Sequence, residues 1–103
     1  MTRHPRTAAR RDANEGDIVE ALIALGCSVH RIYDGPFDLI VGIGAPKITV
    51  CVEVKMPGKE NDLTPKERKF QKEHRGQYRI ISGDYGKFGL VNMVEHYKDY
   101  QRW

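Results

Sequence analysis

The segment from Lys47 to Lys55 carries the strongest folding constraint in this chain, a strict alternation of side-chain character. Ile48, Val50, Val52 and Val54 fall on one parity, and Thr49, Cys51, Glu53 and Lys55 on the other. Successive side chains of an extended strand point to opposite faces, so the pattern predicts a strand with one apolar face. The opposite face then carries an acid and a lysine two residues apart and side by side. Upstream, Phe37-Asp38-Leu39-Ile40-Val41 reads as a second apolar strand with one acid embedded in it. The loop from Gly42 to Pro46 is short, which suits an antiparallel hairpin and brings Asp38 toward Glu53.

The remaining elements follow from punctuation and periodicity. Asp12 precedes Glu15 by three residues, the spacing of a capping box, and Asn14 with Asp17 repeats it. Ile18, Val19, Leu22, Ile23 and Leu25 then make a helical stripe that Gly26 closes, predicting a helix over about 14–25. Val29 to Tyr33 reads as a short strand ended by Asp34-Gly35-Pro36. After a polar loop from Met56 to Leu63, Thr64-Pro65-Lys66-Glu67 starts a helix running to about Arg75. Tyr78 to Ser82 is a fourth strand, and Leu90 to Trp103 a final helix with Val91, Val94, Tyr97 and Tyr100 on one side. The order is α-β-β-β-α-β-α, a mixed α/β domain whose sheet is flanked by helices.

A chain of 103 residues has room for one modest core. We expect one domain over 12–103, preceded by a flexible basic arm over 1–11. Such a domain hides about two-thirds of its unfolded surface, so a homodimer that hides more, through Leu90 to Trp103, is a natural expectation. No apolar run approaches the ~20 residues of a membrane helix, and nothing apolar follows the basic N-terminus as a secretory signal would require. The cytoplasm is the expected location. Cys27 and Cys51 lack metal-ligand spacing and read as small core thiols. The net charge of +3 is uneven: Arg3, Arg6, Arg10 and Arg11 crowd the arm, and Lys66, Arg68, Lys69, Lys72 and Arg75 share a later segment. Such clusters suit a polyanion, although a solvated helix face has the same composition.

The chemistry concentrates at Asp38, Glu53 and Lys55. Strand interiors disfavour acids, and a half-buried carboxylate needs a partner or a metal. Two neighbouring carboxylates repel unless a cation lies between them. An all-oxygen set without His or Cys favours Mg²⁺, with Mn²⁺ able to substitute. The plainer reading, a cross-strand salt-bridge cluster, accounts for Glu53-x-Lys55 but not for an acid inside the apolar run at Asp38.

The line Glu15 … Phe37-Asp38 … Glu53-Val54-Lys55, followed by Leu63-Thr64-Pro65, resembles the PD-(D/E)xK nuclease superfamily. It is most similar to the small phage-type and VRR-NUC-like endonucleases, related to archaeal Holliday-junction resolvases. Phe37 stands where the name-giving proline would precede the acid. The resemblance implies a restriction-endonuclease-like α-β-β-β-α-β core with an added C-terminal helix. It further implies Mg²⁺ held by Asp38, Glu53, the Val54 carbonyl and Glu15, with Lys55 as catalytic lysine. The implied activity is hydrolysis of phosphodiesters in duplex, nicked or branched DNA, in a bacterial or phage-infected cell, without an organic cofactor.

Alternatives stay open at particular residues. Glu15 either reaches the metal or closes a capping box with Asp12, and Asp17 and Glu20 lie near enough to compete. Arg10, Arg11, Lys69, Gln71 and Lys72 are the expected nucleic-acid contacts. Tyr33, Tyr78, Tyr85 and Phe88 fit either base stacking or packing. His4, His30, His74 and His96 lack ligand spacing, and Gly42 with Gly44 is not followed by a phosphate-loop lysine. The competing function is a non-catalytic nucleic-acid-binding module that keeps the nuclease fold.

Overall fold

The computed structural model describes residues 12–44 and 47–99. Arg10, Arg11 and the rest of the basic arm lie outside the described residues, as do Tyr100 and Trp103. In chain order the elements are α1 (Glu15–Ala24), β1 (Ser28–Arg31), β2 (Leu39–Ile43), β3 (Ile48–Val54), α2 (Pro65–Glu73), β4 (Gln77–Ile81) and α3 (Leu90–Asp99). This is the expected α-β-β-β-α-β core with a further helix after it.

The strands form one sheet in the order β1-β2-β3-β4. The first two pairings are antiparallel and β3 with β4 is parallel, so the sheet is mixed. Register carries the alternation of β3 into packing. Val52 pairs with Leu39 and Val50 with Val41, so their side chains make one apolar layer. That layer is buried together with Ile43, Val54 and Ile81. Ile18 and Leu22 of α1 cover it, with Leu90, Met93, Val94 and Tyr97 of α3. Each large aliphatic side chain so buried contributes about 1.5–3 kcal/mol. The Tyr97 hydroxyl is satisfied inside this layer, donating to Gln77 Oε1 at 2.8 Å and accepting from Arg79 Nε at 3.4 Å.

The opposite face carries Cys51 and Glu53 from β3 and Tyr78 from β4, because Cys51 pairs with Tyr78. Helix α2 reaches this face through Phe70, whose ring lies 5.8 Å from Tyr78 and 5.0 Å from Phe37. None of its residues is fully buried. Cys27 is buried in the core, Cys51 is half-buried, and both are free thiols. No helix among the described residues is long and apolar enough to cross a membrane.

The two helix starts behave differently. Thr64 forms the expected capping box: its hydroxyl accepts from the Glu67 N–H, and Glu67 Oε1 accepts from the Thr64 N–H at 2.9 Å. The capping box expected at Asp12 or Asn14 is absent. Asn14 is the cap residue of α1, but its side chain makes no capping bond. Its Nδ2 instead donates to the carbonyls of Lys55 at 3.1 Å and Ser82 at 3.0 Å. Those carbonyls lie just past Val54 and Ile81, the last ladder pair of β3 and β4, where no neighbouring strand supplies a donor. A long-range need outranks the local cap.

Candidate active site

The sheet turns its strand ends to one side: the end of β1, the start of β2, and the ends of β3 and β4. A cleft of about 520 Å³ opens there, lined among others by Asp12, Tyr33, Asp38, Glu53, Lys55 and Glu67.

Asp38 sits one residue before β2, yet its backbone continues the ladder. Its N–H donates to the Val52 carbonyl at 3.0 Å, and its carbonyl accepts from Ile32 N–H at 2.7 Å. This register places Asp38 across from Glu53. Its Oδ2 accepts the Val54 N–H at 2.8 Å, which fixes the carboxylate against β3. The hairpin argument from the sequence therefore gives the correct neighbours.

Glu53 is only 2% exposed, and its Oε1 has no hydrogen-bond partner. Its Oε2 lies 3.5 Å from Lys55 Nζ. Burial first, then the negative charges of Asp38 and Glu67, push its carboxyl up to about 9. At neutral pH the cation-free protein thus keeps a proton on Glu53. Asp12 is shifted upward as well, by burial and by Asp38 and Glu67, with Lys55 opposing.

Lys55 has a side chain 12% exposed and lies 2.9 Å from Glu67 Oε1. Burial works against its charge, but the hydrogen bond to Glu67 and the charges of Glu53 and Glu67 outweigh it, so the ammonium is held above its ordinary range. Glu67 moves the other way. Burial opposes the shift, but the Thr64 N–H and Lys55 keep its carboxyl below the usual carboxylate range. With Glu53 holding a proton, Glu67 is the anion that Lys55 faces.

The structure thus brings Asp38, Glu53, Val54 and Lys55 together in one cleft. It places Glu15 elsewhere. That carboxylate is 3% exposed and pairs with Arg31 Nε at 3.3 Å. Glu15 is not among the residues that line the cleft, and Asn14 rather than Asp12 is the cap residue of α1. The residue at the mouth of α1 that does face the cleft is Asp12, which sequence spacing had marked only as a cap. Lys69, Gln71 and Lys72 are exposed along α2 and do not line the cleft. Sequence reasoning also passed over Glu67, whose capping position hid a second role, and Asn14, whose clamp on two strand ends no local pattern reveals.

Among the described residues, no group of three or more His, Cys, Asp or Glu side chains is close enough to hold a metal ion. The cleft brings together the carboxylates of Asp38 and Glu53, with Val54 also in its lining. The buried Glu53 oxygen without a partner is the feature a cation would complete. Such a partial oxygen set fits Mg²⁺, which keeps several of its waters. Compared with family models, curated proteins and solved structures, the chain matches none.

Proposed function

We propose that this chain is a Mg²⁺-dependent endonuclease that hydrolyses DNA phosphodiester bonds, in the manner of the PD-(D/E)xK nucleases. One observation carries the reading. Glu53 is buried opposite Asp38 and two residues from Lys55 in an open cleft, where it shares that one lysine with a further acid, Glu67. A carboxyl in that state is costly to keep unless it serves a ligand.

Asp38, Glu53 and the Val54 carbonyl would hold the cation. When bound, Mg²⁺ supplies charge neutralisation at the phosphate and a water of lowered pKa. Asp38 contributes a carboxylate already oriented by the Val54 N–H. Glu53 would release its proton to solvent and present its carboxylate to the cation. Lys55 points an ammonium N–H into the cleft, where it orients the attacking water and stabilises negative charge on the phosphoryl oxygens. Base edges play no part in this chemistry, so duplex, nicked and branched DNA all remain substrates. The exposed Lys69 and Lys72 of α2, with Arg10 and Arg11 of the arm, would grip the backbone.

The competing reading, a non-catalytic nucleic-acid-binding module, draws support from Glu15, which Arg31 engages away from the cleft. Supercoiled plasmid and a four-way junction, incubated with Mg²⁺, Mn²⁺ or EDTA, separate the two. We expect metal-dependent cutting that Asp38→Ala and Lys55→Ala each abolish. DNA binding without cutting under any metal would replace the nuclease by the binding module.

A further inference from the structure

Lys55 does not reach the cleft as a free side chain. Its ammonium has three donors. One meets Glu67 Oε1 at 2.9 Å, and another faces Glu53 Oε2 at 3.5 Å. One direction is left for the open cleft. Glu67 is itself fixed, because its backbone N–H donates to the Thr64 hydroxyl and the same Oε1 accepts the Thr64 N–H. The capping box of α2 thus ends on the lysine, and a four-carbon stem that would otherwise sample many rotamers is tied to the first turn of a helix.

We propose that Glu67 is a positioning residue, which aims the Lys55 ammonium into the cleft from the N-terminal turn of α2. The kinetic consequence of this inference rests on the nuclease reading; the geometric one does not. Two features set it apart from an ordinary cap. The contact spans from residue 55 to residue 67 and joins β3 to α2, which a capping box alone does not require. Both side chains are also largely out of solvent, at 12% and 19% exposure, where an ion pair is screened little and holds its geometry. A surface pair of the same length would fix nothing.

Three variants isolate the role. Glu67→Ala removes the acceptor for both Thr64 and Lys55. Glu67→Gln keeps an oxygen acceptor for both. Thr64→Ala breaks the cap through its hydroxyl and leaves the Glu67 carboxylate on Lys55. Cleavage kinetics on an oligonucleotide duplex with Mg²⁺ would be measured beside the Lys55 ammonium signal in ¹H–¹⁵N spectra of the cation-free protein. We expect Glu67→Ala to lower kcat roughly tenfold to a hundredfold at nearly unchanged KM. Glu67→Gln should recover most of that loss, and Thr64→Ala should stay within about threefold of wild type. The ammonium signal should persist in wild type and Thr64→Ala and vanish in Glu67→Ala. Equal loss of kcat in Thr64→Ala and Glu67→Ala, or no loss in either, would overturn the proposal. Should wild type cut no DNA, the nuclease reading fails by itself, and the ammonium signal still decides: its survival in Glu67→Ala would overturn the positioning role.

Discussion

Glu15 and Glu53 are both acids almost removed from solvent, and they have opposite fates. Glu15, at the start of α1, lies against Arg31 at the end of β1, whose side chain keeps 38% of its surface in water. That pair is a structural join between a helix and an edge strand. Glu53 stands mid-sheet among other carboxylates, and burial together with those charges pushes its carboxyl up to about 9. The difference lies in the partners. Glu15 lies against a guanidinium, whereas Glu53 stands across from Asp38 and shares one lysine with Glu67. A buried acid marks a site when other acids crowd it around one cation, and burial alone does not distinguish the two.

The comparison breaks most visibly in activity. Glu53→Gln keeps shape and removes the anion, so plasmid nicking should fall by at least about a thousandfold, which is about 4 kcal/mol of barrier. Glu15→Gln should stay within roughly tenfold, once corrected for the fraction folded. Equal losses in the two variants would erase the distinction and return Glu15 to the cleft chemistry.

Next in size is the dependence of stability on pH. The folded protein holds a proton on Glu53 up to about 9, while the unfolded chain releases it near 4.5. Between those values the folded state binds more protons, so stability falls as pH rises. The contribution is fully present below 4.5 and is lost progressively up to about 9. Glu53→Gln removes this slope. In EDTA at pH 8.5 its Tm should exceed that of wild type by at least about 5 °C, and the gap should close toward pH 4.5. Urea melts should show the reverse for Glu15→Gln, a loss of about 1 kcal/mol at neutral pH, because the ion pair with Arg31 loses its anion. Opposite signs at two equally buried acids would be hard to explain by packing.

Much of this arrangement was legible in the sequence, and the gaps have physical causes. Alternation over Ile48 to Val54 set the face of every residue on β3, and hairpin geometry then put Asp38 across from Glu53. Thr64-Pro65-Lys66-Glu67 announced α2 because all its capping bonds are local. Asn14 misled for the complementary reason: its partners lie at Lys55 and Ser82, 41 and 68 residues away, and no spacing encodes them. Glu15 was placed toward the cleft by resemblance, but on a short helix the choice among Asp12, Glu15 and Asp17 depends on helix rotation. The hydrophobic stripe fixes that only once its packing partners are known. Arg31, the residue that claims Glu15, looks in the sequence like any polar residue of a short strand.

The smallest effect discriminates most sharply, because it needs no substrate. If Glu53 and Asp38 complete a cation site, Mg²⁺ binds the folded protein and not the unfolded chain, and it stabilises by RT ln(1 + [L]/Kd). For a millimolar site, about 5 mM Mg²⁺ gives about 1 kcal/mol, roughly 4–8 °C in a domain of this size. The shift should grow with pH, because binding must displace the proton that Glu53 holds in the cation-free protein. It should be absent in Glu53→Gln and Asp38→Asn and retained in Glu15→Gln, with a matched rise in NaCl ionic strength as the control for screening. A shift of the same size in all four proteins would mean that Mg²⁺ acts on the general charge of the surface. A shift lost in Glu15→Gln as well would place the two acids in one site. Only loss confined to Glu53 and Asp38 separates the acid paired with Arg31 from the acids that would hold a cation.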